Sequence, residues 1–235
     1  MAAGAGDGRM MGLQRERGGN ARKSSSEQSA EAGLGAACNR RQLLAFGAAA
    51  GGLLLAGCAS SAPSALYALS APEIGAEQAG LRRGGKQILV PRPRALNALD
   101  SNYVAVVDRG EAYSYFPGIA WADALPDVLQ ARIVQTLENT GRLGGVGFPG
   151  DGLLIDYQLQ TELRAFEIRV DGPKRGLVEL SAKLVNDRNG RAISTQVFRA
   201  ETAVSGAGVD QAVAALDASA IKVMAELAAW VLSRT

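Results

Sequence analysis

The chain has 235 residues, 47% of them hydrophobic, with 25 basic and 23 acidic side chains and a net charge of +2. That is enough for one ordinary domain and an appendage. Histidine is absent, which excludes Ser-His-Asp and Cys-His nucleophiles, imidazole acid–base chemistry and His-ligated zinc or haem.

Residues 1–37 are rich in Gly, Ala, Ser, Arg and Glu and nearly devoid of large apolar side chains. They cannot bury enough surface to offset chain entropy, so a disordered extension is expected, with Met10 and Met11 as alternative starts inside it. From Cys38 to Gly57 the composition changes. The basic pair Arg40-Arg41 precedes an uncharged run of 15 residues, Leu43 to Gly57, which falls short of the about 20 needed to span a bilayer. A basic region, a short apolar core and then small residues build a secretory signal, so residues 38–57 are expected to be a signal peptide. Gly47, Gly51, Gly52 and Gly57 argue against the other reading, a buried core helix.

The run ends in Leu55-Ala56-Gly57-Cys58, which resembles the lipobox of bacterial lipoproteins. The resemblance implies that Cys58 receives a diacylglyceryl group, that the chain is cut before it, and that the new amino terminus is acylated, palmitate being a representative chain. Each buried methylene adds about 0.8 kcal/mol, and two or three chains anchor stably where one does not. Ala59 and Ser60 follow the cysteine, where bacterial lipoproteins kept at the inner membrane commonly carry Asp, so the resemblance implies sorting to the outer membrane, facing the periplasm. From Cys58 onward 18 basic and 19 acidic residues remain. No basic stripe with interleaved aromatics is left, so nucleic acid is not an expected partner.

Residues 58–64 read as a lipidated tether, and the folded domain is expected over 65–235. Ser64–Leu69 is a strand candidate. A Gly/Arg-rich loop with Arg82-Arg83 precedes Gln87–Val90, which Pro91 and Pro93 confine to a sheet edge or a strand end. Asn102–Asp108 and Glu111–Phe116 are predicted to form a hairpin through Arg109-Gly110.

From Leu125 the period changes, with Val128, Leu129, Ile133, Val134 and Leu137 on one helix face. Asp123 is the expected cap of that helix, Pro126 suits its first turn and Gly141 its end. Ile155–Leu163 alternates at period two, and Phe166, Ile168 and Val170 resume on the opposite parity, which predicts a bulge near Arg164-Ala165. Turns at Asp171–Lys174 and Asn186–Gly190 make three successive antiparallel strands. A last helix, about Asp210 to Leu232, carries Val213, Leu216, Ala220, Val223, Leu227 and Val231 on one side. The expected class is α+β: an antiparallel sheet with two helices packed on one face, preceded by a lipoprotein signal peptide.

The motifs Leu99-Asp100-Ser101, Val107-Asp108-Arg109, Tyr113-Ser114-Tyr115-Phe116 and Trp121-Ala122-Asp123-Ala124-Leu125-Pro126 resemble the ABC-type transport auxiliary lipoproteins of the PqiC/YmbA kind. Asp123 stands where Glu is common in that family and Ala124 where Pro is common. The resemblance implies an outer-membrane lipoprotein without catalytic residues, working with membrane lipids and with an MCE-domain protein of an ABC transporter complex. No cofactor beyond the lipid on Cys58 and no metal are expected, and self-association is left open.

Tyr115, Phe116 and Trp121 are the candidate partner contacts. Trp121 reads first as a core anchor, and one of Tyr115 and Phe116 should face outward. The alternative function is an envelope assembly or scaffold lipoprotein that binds protein or peptidoglycan without lipid cargo. A hydrolase using Asp108 with Glu111, or Asp151 with Asp156, is disfavoured because no motif places either pair in a cleft.

Overall fold

The computed structural model describes residues 62–73, 85–110 and 112–235. The expected extension, signal peptide, Cys58 and the Arg82-Arg83 loop lie outside the described residues. Among the described residues, nine strands and two helices follow in the order β1 (Ala65–Tyr67), β2 (Gln87–Leu89), β3 (Arg94–Ala95), β4 (Tyr103–Val107), β5 (Tyr113–Trp121), α1 (Leu125–Asn139), β6 (Gly145–Gly147), β7 (Tyr157–Arg169), β8 (Arg175–Asn186), β9 (Ala192–Ala203) and α2 (Val209–Leu232).

The sheet is organised around β7. Along one edge it pairs antiparallel with the whole of β8, which pairs in turn with β9. Along its other edge it receives β2, β3 and β4 in succession, all parallel. β5 pairs antiparallel with β4 and parallel with β1. The sheet is therefore mixed, and only its β7–β8–β9 and β4–β5 portions have the expected antiparallel form. The α+β class holds. Parallel pairs join segments far apart in sequence, so no local turn signal announces them.

Pro91 and Pro93 lack the N–H that a ladder needs, so the chain leaves β7 after Leu89 and rejoins it at Arg94. They end a strand rather than mark an edge, because β2 lies between β6 and β7. The predicted bulge is present, the β7–β8 register shifting between Leu163 and Ala165. It lets Leu159 and Leu163 before it, and Phe166 and Ile168 after it, all enter the core.

α2 lies along β8 and β9, and α1 packs beside it. Side chains of both helices and of the sheet form one core cluster. α2 comes close to β8 at Gly176, where a Cβ would stand 2.7 Å from the backbone of Ala215 and Leu216. There Ser219 Oγ donates to the Gly176 carbonyl at 2.9 Å. Two edge-to-face ring pairs fill the interior, Trp121–Phe166 at 5.5 Å and Phe198–Trp230 at 5.8 Å between centroids.

Asp123 does not cap α1. Its Oδ1 accepts the Ala124 N–H at 2.7 Å, and the N-cap position belongs to Ala124. The reason is that no free amide is left to cap. Leu125 N–H goes to the Ser101 carbonyl, Pro126 has no N–H, and Asp127 N–H goes to the Ala124 carbonyl. The other end follows expectation: Gly141, at φ +60°, takes the left-handed position after the helix.

Candidate functional site

Strand alternation divides the sheet into a face under the helices and an open face. On β7, β8 and β9 the open face carries Gln160, Glu162 and Arg164, then Glu179, Ser181 and Lys183, then Thr195, Val197 and Arg199. The register joins them in rows across the strands. Arg94, Glu162, Ser181 and Val197 stand in one row, and Gln160, Lys183 and Thr195 in the next.

The two halves of this face differ in electrostatics. Toward the C-terminal end of β7, charges are linked into a continuous chain. Arg169 bridges Glu167 at 3.0 Å and Asp171 at 2.8 Å, and Arg175 bridges Asp171 at 2.9 Å and Glu201 at 3.0 Å. Arg199 then bridges Glu201 at 2.7 Å and Glu179 at 2.9 Å. Three guanidiniums thus meet four carboxylates. The hydrogen bond from Arg169 holds the Asp171 carboxyl below its usual range, and that from Arg199 does the same for Glu201. In the other half, around the Arg94 row, the cations are left largely unmatched. A concavity of about 280 Å³ there is lined by Arg94, Glu162, Arg164, Lys183 and neighbouring polar groups.

The open face also carries an aromatic and aliphatic lip, on β4 and β5. Tyr103 and Tyr115 meet in a tilted ring contact at 5.3 Å between centroids and are 55% and 40% exposed. Tyr115 Oη donates to the Ala98 carbonyl at 3.2 Å, which ties the lip to the loop after β3. Leu96, in that loop, and Leu66, on the edge strand β1, are more exposed still.

Of the three candidate partner contacts, Tyr115 is therefore the one on the open face. Phe116 is partly buried and packs against the core. Trp121 is 1% exposed and stands inside it, so it offers no surface to a partner. Its reading as a core anchor is the one the packing supports, because the Trp121 ring fills the space against Phe166. Tyr103 and Leu66 were not singled out in the sequence. Only the register of β1 and β4 against β5 places them on the same face as Tyr115, so no local pattern could have found them.

The carboxylate pairs have local work. Asp151 accepts the Phe148 N–H at 2.7 Å, Asp156 accepts the Gln87 N–H at 3.1 Å, and Glu111 lies outside the described residues. Two further links secure the edge strand near the tether. Tyr67 Oη donates to Asp210 at the start of α2, and Ser70 N–H donates to Asp217 at 2.7 Å. Ser64 donates to the Gly118 carbonyl through both its N–H and its hydroxyl. Among the described residues no helix is long and apolar enough to cross a membrane.

The family described as ABC-type transport auxiliary lipoprotein component matches residues 67–228. The chain belongs to that family, which places it among the auxiliary lipoprotein components of ABC-type transport, in the cell envelope. An uncharacterized protein of Bradyrhizobium diazoefficiens is 30% identical over 146 residues, 61% of this chain and 38% of that protein. The chain thus spans well under half the length of that relative. Among solved structures, a Xanthomonas campestris protein of the DUF330 family superposes with a TM-score of 0.63 at 23% identity, covering 74% of this chain and 96% of that one. A second uncharacterized protein superposes with a TM-score of 0.57 at 19% identity, over 72% and 99% of the two chains. At these identities the likeness speaks for the fold alone.

Proposed function

We propose that this chain is a lipoprotein anchored through Cys58 to the periplasmic leaflet of the outer membrane. There it serves, without catalysing a reaction itself, as the auxiliary component of an ABC transporter that moves lipids together with an MCE-domain partner. The observation that carries this reading is the position of Leu55-Ala56-Gly57-Cys58 just ahead of a domain of the auxiliary lipoprotein family.

The physical sense of the arrangement lies in the tether. Six residue steps lead from Cys58 to Ser64, where the chain joins the sheet edge. Fully extended they reach at most about 20 Å. A thioether-linked diacylglyceryl group and an acylated amino terminus on Cys58 would therefore hold β1 within that distance of the leaflet. Tyr67 and Ser70 pass the restraint from the edge strand to α2 and so to the core. The anchor would hold the whole module against the bilayer, with the open face of its sheet available to a partner.

The test is direct. Cells expressing the full chain are labelled with radioactive palmitate, and membranes are separated by density. Label on the wild type in outer-membrane fractions, release of Cys58→Ala from the membranes, and co-purification of the wild type with an MCE-domain protein support the proposal. Wild-type protein that carries no lipid removes its basis. Lipidated protein that co-purifies instead with peptidoglycan or an assembly factor favours the scaffold alternative.

A further inference from the structure

We infer that the basic concavity on the open face of the sheet, between Arg94, Arg164 and Lys183, is a binding site for a phosphate group. The inference deepens the transport reading and rests on it for the source of the phosphate, a phospholipid headgroup. The affinity for the anion rests on this geometry alone.

The argument starts from contrast. Arg169, Arg175 and Arg199, on the same face, each bridge two carboxylates. Such links neutralise charge and satisfy the guanidinium donors. Arg94 and Lys183 have no ion pair among the described residues, although both stand on a face rich in acids. Arg164 has only Glu162, at 3.4 Å and with both side chains substantially exposed. The concavity therefore holds three cations and one carboxylate.

The placement is built by the sheet. Arg94 projects from β3 in register with Glu162, and Lys183 projects from β8 in register with Gln160 and Thr195. Arg164 sits in the β7 bulge between Leu163 and Ala165, an irregularity of the kind that re-aims a side chain. Three cations from three strands thus converge on one hollow with the hydroxyls of Ser181 and Thr195 beside them. Guanidinium forks, an ammonium and hydroxyl donors form the donor set that a tetrahedral oxyanion takes. Tyr103 and Tyr115 expose apolar surface elsewhere on the same face, and Leu96, two residues past Arg94, is exposed as well. A phospholipid held by its phosphate would find apolar surface for its acyl part on this same face, which a free ion would not use.

The experiment uses the full-length chain, purified in a neutral detergent. Binding is followed for three probes: inorganic phosphate, short-chain phosphatidylglycerol and short-chain phosphatidylcholine. Wild type is compared with the double variant Arg94→Ser/Lys183→Ser and with a charge-matched control, Arg191→Ser/Lys222→Ser, whose cations lie outside the basin. All four positions are exposed, and a thermal melt verifies that each variant folds.

Loss of two charge-assisted contacts should weaken binding by about tenfold or more in the basin variant, with little change in the control. Phosphatidylglycerol and inorganic phosphate that compete for the basin support the headgroup as the source. Phosphate binding without phosphatidylglycerol binding keeps the anion site and overturns the lipid source. No binding of any probe, or equal weakening in both double variants, overturns the site. Co-purification of an MCE-domain partner with the basin variant is measured separately, so a failure of the transport reading is told apart from a failure of the site.

Discussion

A methyl group added at Gly176 should destabilise the domain by about 3 kcal/mol, at the upper end of overpacking costs. The Cβ of Gly176→Ala would stand 2.7 Å from Ala215 C and Leu216 N and 2.8 Å from the Ala215 carbonyl oxygen. Carbon atoms in ordinary contact stand about 3.5–4.0 Å apart, so α2 must withdraw by roughly 1 Å. These three atoms are all backbone of α2, so no flexible side chain can give way. A gap of that size forfeits a quarter to a half of each dispersion contact it opens. The residues that lose contact include Val213, Leu216 and Ala220, all buried against β8 and β9. The Ser219 hydrogen bond to Gly176 lengthens with them. At about 2–4 °C per kcal/mol for a domain of this size, the melting temperature should fall by about 6–12 °C. Thermal and urea unfolding of the full chain measure this. Gly172→Ala, with nothing within 4 Å of its Cβ, serves as the control. A Gly176→Ala protein as stable as that control would refute the close approach of helix and strand.

The charge chain on the open face makes stability depend on pH. Asp171 and Glu201 are held below their usual range by arginine hydrogen bonds in the folded state. Their stabilisation is therefore complete above the ordinary carboxylate range and is lost as the pH falls through the depressed values. Asp171→Asn and Glu201→Gln should flatten the acid limb of a melting-temperature profile, and an unchanged limb would count against the network. Arg92 holds Asp127 of the first turn of α1 and Asp100 of the preceding loop, each at 2.6 Å in its shortest contact. Because all three side chains are well exposed to solvent, Arg92→Ala should cost only about 1 kcal/mol in urea unfolding. A loss of several kcal/mol would mean that the clamp organises the fold.

The element that the sequence handled best is β7. Its parity flip between Leu163 and Phe166 could be read directly, since a strand with one buried face must show its bulge as a change of phase. The helix of Leu125–Asn139 and the β7–β8–β9 meander were legible for the same reason, namely local periodicity with turn residues between the segments. β5 was legible only in part. Pro117-Gly118 reads locally as a stop, and Gly118 does take φ +74°, yet the strand continues to Trp121 because β1 pairs alongside it. β3 and β6, of two and three residues, carry no period long enough to recognise. Asp123 failed as a cap because the Ser101 carbonyl, supplied from a loop more than 20 residues earlier, had already taken the first helical amide.

The same division separates the address from the site. Composition and order along the chain were enough to suggest a lipid attachment point and to recognise the family resemblance, because a basic region, an apolar run and a cysteine act as a linear string. The basic hollow and the Tyr103–Tyr115 lip are not linear. Arg94, Arg164 and Lys183 are unremarkable surface cations in the sequence. They become neighbours only when β3 runs parallel to β7 and β8 runs back along its other edge. Cross-strand proximity is a property of register, and register here is set by which side chains the two helices bury.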